Sequence, residues 1–396
     1  MEIHKLSEVT DLRGKKVLLR VDFNVPTDKS GEIQDDTRMQ ESLDTIRHLQ
    51  EKGAKIIILS HLGRPDGAVK EELRLNKVGE HLAKLLSKPV KKLNECIGEE
   101  VKAAISEMSE GEIILLENIR FHKEEEECEE NFTKELASLG EIFVNDAFGT
   151  AHRKHASTAG LADYLPAYAG LLMEREITAL SPLVEGKIEK PLTMIFGGAK
   201  IDTKIGIIKH FLDKADYFLM GGALANTFLH AAGFNVGKSL YEADKTDFAK
   251  EIMSKCPKEN FLLPEDVVTA NEISETAQAD HLKIENTDNE SKILDIGKVT
   301  AEKFCEAIAK SKTIIWNGPL GLCEFKPFQK GTKIVGEFIA AQKHLTSIVG
   351  GGDTADALKR LDINENAFTH VSTGGGACIE FLSGEKLPGI EVLRKN

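Results

Sequence analysis

The sequence predicts an α/β protein made of two doubly wound parallel-sheet (Rossmann-like) domains joined by a helical hinge. Three observations carry this reading. At 396 residues the chain exceeds one ordinary core and suits two domains of roughly 150 to 200 residues each. Short apolar runs recur along it, each followed by a polar or Gly-rich turn and then a helical stretch. The runs are continuous in Val, Ile and Leu rather than alternating, which is the pattern of parallel strands covered on both faces.

In order, the runs are VLLRVDFNV (17–25), KIIILSH (55–61), EIILLENI (112–119), EIFVNDAF (141–148), LTMIF (192–196), YFLMGG (217–222), FLLPEDVV (261–268), TIIWNG (313–318), SIVGGG (347–352) and THVSTGGG (369–376). Among the helices, DDTRMQESLDTI (35–46) starts with a capping box, Thr37 with Gln40, and shows an apolar face of Met39, Leu43 and Ile46. Arg38 then stands in the first turn. The stretch 170–190 reads as a helix followed by a polar turn and is placed as the hinge, between domains 1–170 and 191–383. The acidic run EEEECEE (124–130) reads as a solvated helix face with no role.

Composition narrows the function. A net charge of -13 argues against a nucleic-acid partner, and no apolar run approaches the roughly 20 residues needed to span a bilayer. The N-terminal residues lack a basic segment leading into an apolar one, and the six cysteines are scattered without a CxxC pair, so the expected location is the cytoplasm. Of eleven arginines, nine lie at or before Arg175, which hints that the first half recognises a small anion through bidentate guanidinium contacts.

In doubly wound sheets ligands bind at the carboxyl ends of strands. The two halves end their strands differently. The first carries side chains there: Asp22, Asn24, His61, Arg64, Asn118, Arg120, Asn145 and Asp146. Arg38, His61, Arg64, Arg120, His152 and Arg153 would make an anion-binding rim, with Asp22 and Asn24 on one face of the first strand as hydrogen-bonding partners. The second half carries bare backbone instead: Gly197-Gly198, Gly221-Gly222, Gly350 to Gly352 and Gly374 to Gly376. Such turns let N–H groups approach a polyphosphate, so a nucleotide is expected in this half. No Walker A motif occurs, and Lys200 and Lys204, read as i,i+4 neighbours on a helix opening after Gly198, supply the lysines, with Ile201, Ile205 and Ile208 as the helix's docking stripe.

Gly350-x-Gly352-x-x-Ala355 matches the dinucleotide fingerprint. That fingerprint expects an acidic residue about 20 positions on, and VSTGGG offers none. Asp353 inside the turn would repel a pyrophosphate unless a divalent cation intervened, which turns the reading towards Mg²⁺ and a nucleoside triphosphate. Asp353 as a mere helix cap is the competing reading.

The segments RVDFNVP (20–26), SHLGRP (60–65), LLENIRFH (115–122), VNDAFGTAHR (144–153), GGAKIDTK (197–204), IWNGPLGLCE (315–324), GGGDTADAL (350–358) and HVSTGGGA (370–377), in this order, resemble the phosphoglycerate kinase family. The resemblance implies reversible phosphoryl transfer between 1,3-bisphosphoglycerate and ADP, giving 3-phosphoglycerate and MgATP. It implies that Asp22, Phe23, Asn24, Arg38, His61, Leu62, Gly63, Arg64, Arg120 and Arg153 bind 3-phosphoglycerate. It assigns Lys200, Lys204, Gly222, Asn317, Glu324, Gly351, Gly352, Asp353 and Thr354 to the nucleotide, with Glu324 at the ribose and Asp353 at the metal. Arg38, Lys200, Lys204, Gly352 and Gly375 would act on the transferring group. The resemblance further implies a monomer, hinge closure, and a C-terminal tail (384–396, containing LPGIEVL) that returns to the first domain. Ala223 and Cys323 depart from the family pattern, where many relatives have Gly and Phe. The alternatives are another acid kinase forming an acyl phosphate, with a different anion rim, and a non-catalytic nucleotide-binding relative.

Overall fold

The computed structural model describes residues 1–28 and 30–395, so position 396 of the expected tail lies outside the described residues. Fifteen strands are described: β1 (Lys16–Arg20), β2 (Lys55–Leu59), β3 (Lys91–Lys92), β4 (Ile113–Leu115), β5 (Ile142–Asn145), β6 (Ala167–Ala169), β7 (Leu192–Phe196), β8 (Tyr217–Met220), β9 (Phe261–Leu262), β10 (Asp266–Ala270), β11 (Asp280–Lys283), β12 (Lys292–Ile296), β13 (Thr313–Asn317), β14 (Thr346–Gly350) and β15 (His370–Val371). They form three sheets, and two of these are six-stranded and parallel throughout.

The chain divides into two compact units, Met1–Ser181 with the C-terminal stretch from Lys386 on, and Pro182–Glu385. The division falls inside one helix, Leu171–Val184, at its internal proline Pro182. That proline lacks the N–H an uninterrupted helix would use. The tail is tied to the first unit by Gly389 N–H to Ala151 O (2.8 Å), His4 N–H to Leu393 O (2.8 Å) and the Asn145 side chain to Gly389 O (3.3 Å).

The first unit is built on the sheet β3-β4-β2-β1-β5-β6. Its strands bury Val17, Leu19, Ile56, Ile58 and Val144 on one face, with Met39, Leu43, Ile46 and Leu49 of the helix Thr37–Glu51. Leu18, Ile57, Leu59 and Phe143 fill the other face, which explains the unbroken apolar runs. Chain order reverses beside β1, so Arg20, Leu59 and Asn145 stand level at the carboxyl ends of three adjacent strands.

The second unit holds the sheet β15-β14-β13-β7-β8-β9. Its order is that of a dinucleotide-type doubly wound sheet, with the switch point between β7 and β13. Phe196, Asn317 and Gly350 are in register there. The third sheet, β11-β10-β12, is antiparallel and was not expected. FLLPEDVV (261–268), read as one strand, is two: Pro264, without an N–H for a ladder, separates β9 from β10, and the two belong to different sheets.

Several local expectations are corrected. Asp36, not Thr37, is the N-cap of the helix Thr37–Glu51; its carboxylate receives Gln40 Nε2 (3.3 Å) and His81 Nε2 (2.8 Å), while Thr37 N–H goes to Asp35 Oδ1 (2.7 Å). Lys200 and Lys204 do not share a helix. Lys200 is exposed in the loop after Gly198, and Lys204 ends a 3-10 turn, Asp202–Lys204, ahead of the helix Ile205–Phe211. The docking stripe of that helix is Ile207, Ile208 and Phe211; Ile201 is buried before the helix begins, and Ile205 is only half-buried. Gly351, not Asp353, caps the helix Gly352–Arg360. Finally, the acidic run is not a solvated face, because Glu125 is fully buried.

Candidate active site

In the first unit the loops after β1, β2 and β4 converge. Phe23 N–H donates to Ser60 Oγ (3.0 Å), Asn24 Oδ1 accepts Gly63 N–H (2.8 Å), and Asn118 Nδ2 donates to Leu62 O (2.7 Å) and Leu73 O (3.0 Å). Gly63 sits at φ +64°, and a Cβ there would lie 2.8 Å from Leu73, so the tight bend excludes larger residues. Phe23 and Leu62 bury their side chains in the core, which leaves only their backbones to a ligand.

On this frame stands a cluster of cations with few carboxylates. Arg38 Nη1 reaches Asp22 Oδ2 (3.1 Å) and Asn24 O (3.2 Å) while its side chain stays 40% exposed. Arg120 Nη1 donates to Gly63 O (3.1 Å), and its Nε lies 3.3 Å from Glu126. His61 Nδ1 receives Arg20 Nη2 at 3.1 Å and is 3.8 Å from Asp22. Arg153, half-buried, is close enough to Arg120, His152 and His155 to act on their titration. Arg64 follows Gly63 in the same loop and is exposed. Arg38, Arg120, Arg153, His61, Asp22 and Asn24 are therefore neighbours, as the strand-end argument requires.

Three histidines here are held neutral. Burial is the main cause for His61, His152 and His155, and nearby arginines add to it; His155 is pushed down to about 3. The sign of the consequence is fixed by proton counting. Below pH about 6.5 the unfolded chain protonates these rings and the folded chain does not, so their contribution to stability falls as pH falls, by ~2 kcal/mol at pH 5 for His155 alone. Buried carboxyls act in the opposite direction over the same range: Glu125 is raised, Asp146 to about 7 and Asp295 to about 8, so the histidines do not set the slope of the whole protein. Relative to the wild type, His155→Gln is thus expected to gain stability in urea as pH falls from 7 to 5, by about 2 kcal/mol; equal slopes in both proteins would contradict it.

The second unit presents backbone. At the switch point Gly198 N–H donates to Pro319 O (2.8 Å), Gly222 N–H to Leu320 O (2.8 Å) and Leu224 N–H to Gly198 O (3.0 Å), so three turns interlock. A Cβ on Gly197 would lie 2.1 Å from Pro319 O, and one on Gly222, at φ +61°, would lie 2.6 Å from Gly198 N. Only glycine allows the turns to pack this closely.

Asn317 Nδ2 donates to Gly350 O (2.6 Å), and Thr354 Oγ1 accepts Gly318 N–H (2.7 Å), tying β13 to the turn after β14. Asn317 Oδ1 is buried with no protein partner. Gly352 and Asp353 are exposed in the first turn of the helix Gly352–Arg360, where backbone N–H groups and the helix dipole favour anions. Lys204 is 93% buried beside them: a Cβ on Gly198 would stand 4.0 Å from its Nζ, and Asp353 is its one charged neighbour of note. Burial lowers the Lys204 pKa, and Asp353 works against that fall. Gly375, at φ +53°, caps Gly376–Leu382, and Glu324 is exposed after buried Cys323, whose thiol burial pushes up to about 12.

Sequence reasoning missed two groups that shape these clusters. Arg20, fully buried, was given no role of its own in the runs and motifs that contain it, and Glu242, whose carboxylate accepts Ile201 N–H, anchors the loop leading to Lys204. Neither carries a local signal; both are defined by partners distant in sequence.

One doubly wound unit with arginines clustered at its strand ends, and another with glycine turns beside a buried lysine, have the make-up of an α/β phosphotransferase. The chain belongs to the phosphoglycerate kinase family: the family model "Phosphoglycerate kinase" matches residues 6–385. A phosphoglycerate kinase of Dictyoglomus turgidum is 53% identical over 386 residues, 97% of this chain and 96% of that protein. Among solved structures, phosphoglycerate kinase from Coxiella burnetii is 40% identical with a TM-score of 0.87, covering 99% of this chain and 98% of the other. The enzyme from Pyrococcus horikoshii is 33% identical with a TM-score of 0.88 and the same coverage.

Proposed function

We propose that the cation cluster of the first unit binds 3-phosphoglycerate and the glycine turns of the second bind the magnesium nucleotide. The chain is a phosphotransferase with a carboxyl group as acceptor, catalysing reversible transfer of a phosphoryl group from 1,3-bisphosphoglycerate to ADP. Phosphoryl transfer requires in-line positioning and positive charge on the equatorial oxygens, with little covalent help. The acceptor carboxylate or ADP oxygen is already ionised, so no general base is needed.

Asp22, Asn24, His61, Arg64, Arg120 and Arg153, with the backbone of Phe23, Leu62 and Gly63, hold the glycerate and its phosphate in this reading. Lys200, Asn317, Glu324, Gly222 and Gly351 to Thr354 hold the nucleotide. Arg38, Lys204 and the N–H groups near Gly352 and Gly375 neutralise the transferring group. The observation that carries the reading is Lys204: a lysine buried between Gly198 and the start of the helix Gly352–Arg360, next to one carboxylate. Mg²⁺ is ordinarily held by one or two carboxylates and by substrate phosphates, and Asp353 fits that donor set. When bound, the ion would supply charge neutralisation on the phosphates.

Because one substrate belongs to each unit, transfer requires the two half-sites to meet, and the helix Leu171–Val184 with the C-terminal tail is the segment we propose to flex. On the scattered cysteines we also place the protein in the cytoplasm, and on family resemblance we read it as a monomer. The test is consumption of ATP that depends on both 3-phosphoglycerate and Mg²⁺. Absence of that dependence would overturn the reading.

A further inference from the structure

We propose that Glu125 is a positioning residue which, through Ser157 and Arg20, fixes the tautomer and orientation of His61 in the anion cluster. This inference rests on the substrate assignment above for its kinetic consequence, though not for its structural one.

Glu125 lies in the short helix Lys123–Glu127 and is fully buried, unlike the acidic residues around it. Its Oε1 accepts from Ser157 Oγ (2.6 Å) and its Oε2 from Ser157 N–H (2.9 Å), and its backbone carbonyl receives Ala156 N–H (2.9 Å). Ser157 Oγ in turn accepts Arg20 Nε (2.8 Å). Arg20 is completely buried; it also donates to Val21 O and, through Nη2, to His61 Nδ1. A chain of directed hydrogen bonds thus runs from carboxylate to hydroxyl to guanidinium to imidazole.

Arginine has donors only, so His61 Nδ1 must be the acceptor in that last bond. A neutral ring then carries its proton on Nε2, as a donor. Arg20 can hold this geometry only while its buried charge is compensated, since a buried guanidinium without a counter-ion costs several kcal/mol. Two carboxylates act on it: Glu125 first and Asp22 second. Asp22 is engaged with Arg38 at 3.1 Å. Without Glu125, Arg20 would compete with Arg38 for Asp22, and the tautomer of His61 would lose its enforcing donor. Among neighbours, His155 Nδ1 is 3.7 Å from Glu125 but is held neutral and cannot substitute as an ionic partner.

The experiment uses Glu125→Gln and Ser157→Ala in the full chain. Ring ¹⁵N spectra of the ligand-free protein, with the His61 signal assigned by its loss in His61→Gln, should show an unprotonated Nδ1 in the wild type. In either variant they should show a mixture of tautomers. In parallel, KM for 3-phosphoglycerate is expected to rise about tenfold, by analogy with the loss on removing partners that orient a ligating side chain, while KM for MgATP stays within about twofold. A wild-type His61 protonated on Nδ1, or variants with unchanged tautomer and unchanged KM, would overturn the proposal. Should Glu125→Gln fail to fold, Ser157→Ala, which keeps both charges, decides it. If the wild type shows no affinity for 3-phosphoglycerate the substrate reading fails, and the ¹⁵N result still decides the role of Glu125.

Discussion

Arg38→Ala is expected to lower kcat about 10²- to 10³-fold with only a modest loss of stability. The loss in rate follows from removing one preorganised charge from a group that develops charge in the transition state, which costs of that order. The modest effect on stability follows from geometry: the Arg38 side chain is 40% exposed but Asp22 only 12%, so the pair lies between a surface pair, worth roughly 0–1 kcal/mol, and a buried one, which costs roughly 3–5 kcal/mol to break, and Arg20 remains beside Asp22. Arg38→Lys should recover only part of the rate, since an ammonium keeps the charge and loses the planar fork. Steady-state kinetics with melting curves separate the two effects. A kcat within about tenfold of wild type in Arg38→Ala would remove this residue from the transfer site.

Lys204→Ala should reduce kcat by a similar factor, on the order of 10²- to 10³-fold, for a different physical reason. Lys204 is 93% buried, so its charge acts in a medium that screens poorly, against the anion expected at the helix Gly352–Arg360. Burial of the ammonium is unfavourable in the ligand-free protein, where Asp353 is its only charged partner of note. The variant is therefore expected to melt at the same temperature or higher. Loss of rate with gain of stability is the mark of a group kept for chemistry. A variant that loses both together would instead indicate a structural lysine.

The framework was legible because parallel strands buried on both faces write themselves as unbroken apolar runs, and nine of the ten runs hold one strand of a parallel sheet, several of them running on past its carboxyl end; FLLPEDVV alone spans parts of two strands. Elements without that signature escaped. β3 is two lysines, β6 is three residues of edge strand, and β11, Asp280–Lys283, is an exposed polar edge whose partners lie across a loop. β10 was joined to β9 because apolar residues flank Pro264 on both sides. The helix start read at Thr37 falls one residue earlier: Asp36 is the N-cap, without a side-chain cap bond, and Thr37 N–H goes to Asp35 Oδ1.

For the candidate site, residue type at strand ends was enough to place Asp22, Asn24, His61 and Arg120 together, because register brings the ends of neighbouring strands level. It failed where burial is decided by distant partners. Nothing local separates Glu125 from Glu124 or Glu126; its burial depends on Ser157, 32 residues away, and on Arg20. Lys200 and Lys204 were placed on one helix by spacing alone, but the chain first makes a loop and a 3-10 turn, so one lysine is exposed and the other buried.

The division of labour between the units is tested most directly by amide hydrogen exchange with each ligand alone. 3-Phosphoglycerate is expected to slow exchange in 22–24, 61–64 and 118–121, with no effect in 197–204 or 350–354. MgADP should do the reverse. Protection by 3-phosphoglycerate centred on 350–354, or by MgADP centred on 61–64, would contradict it.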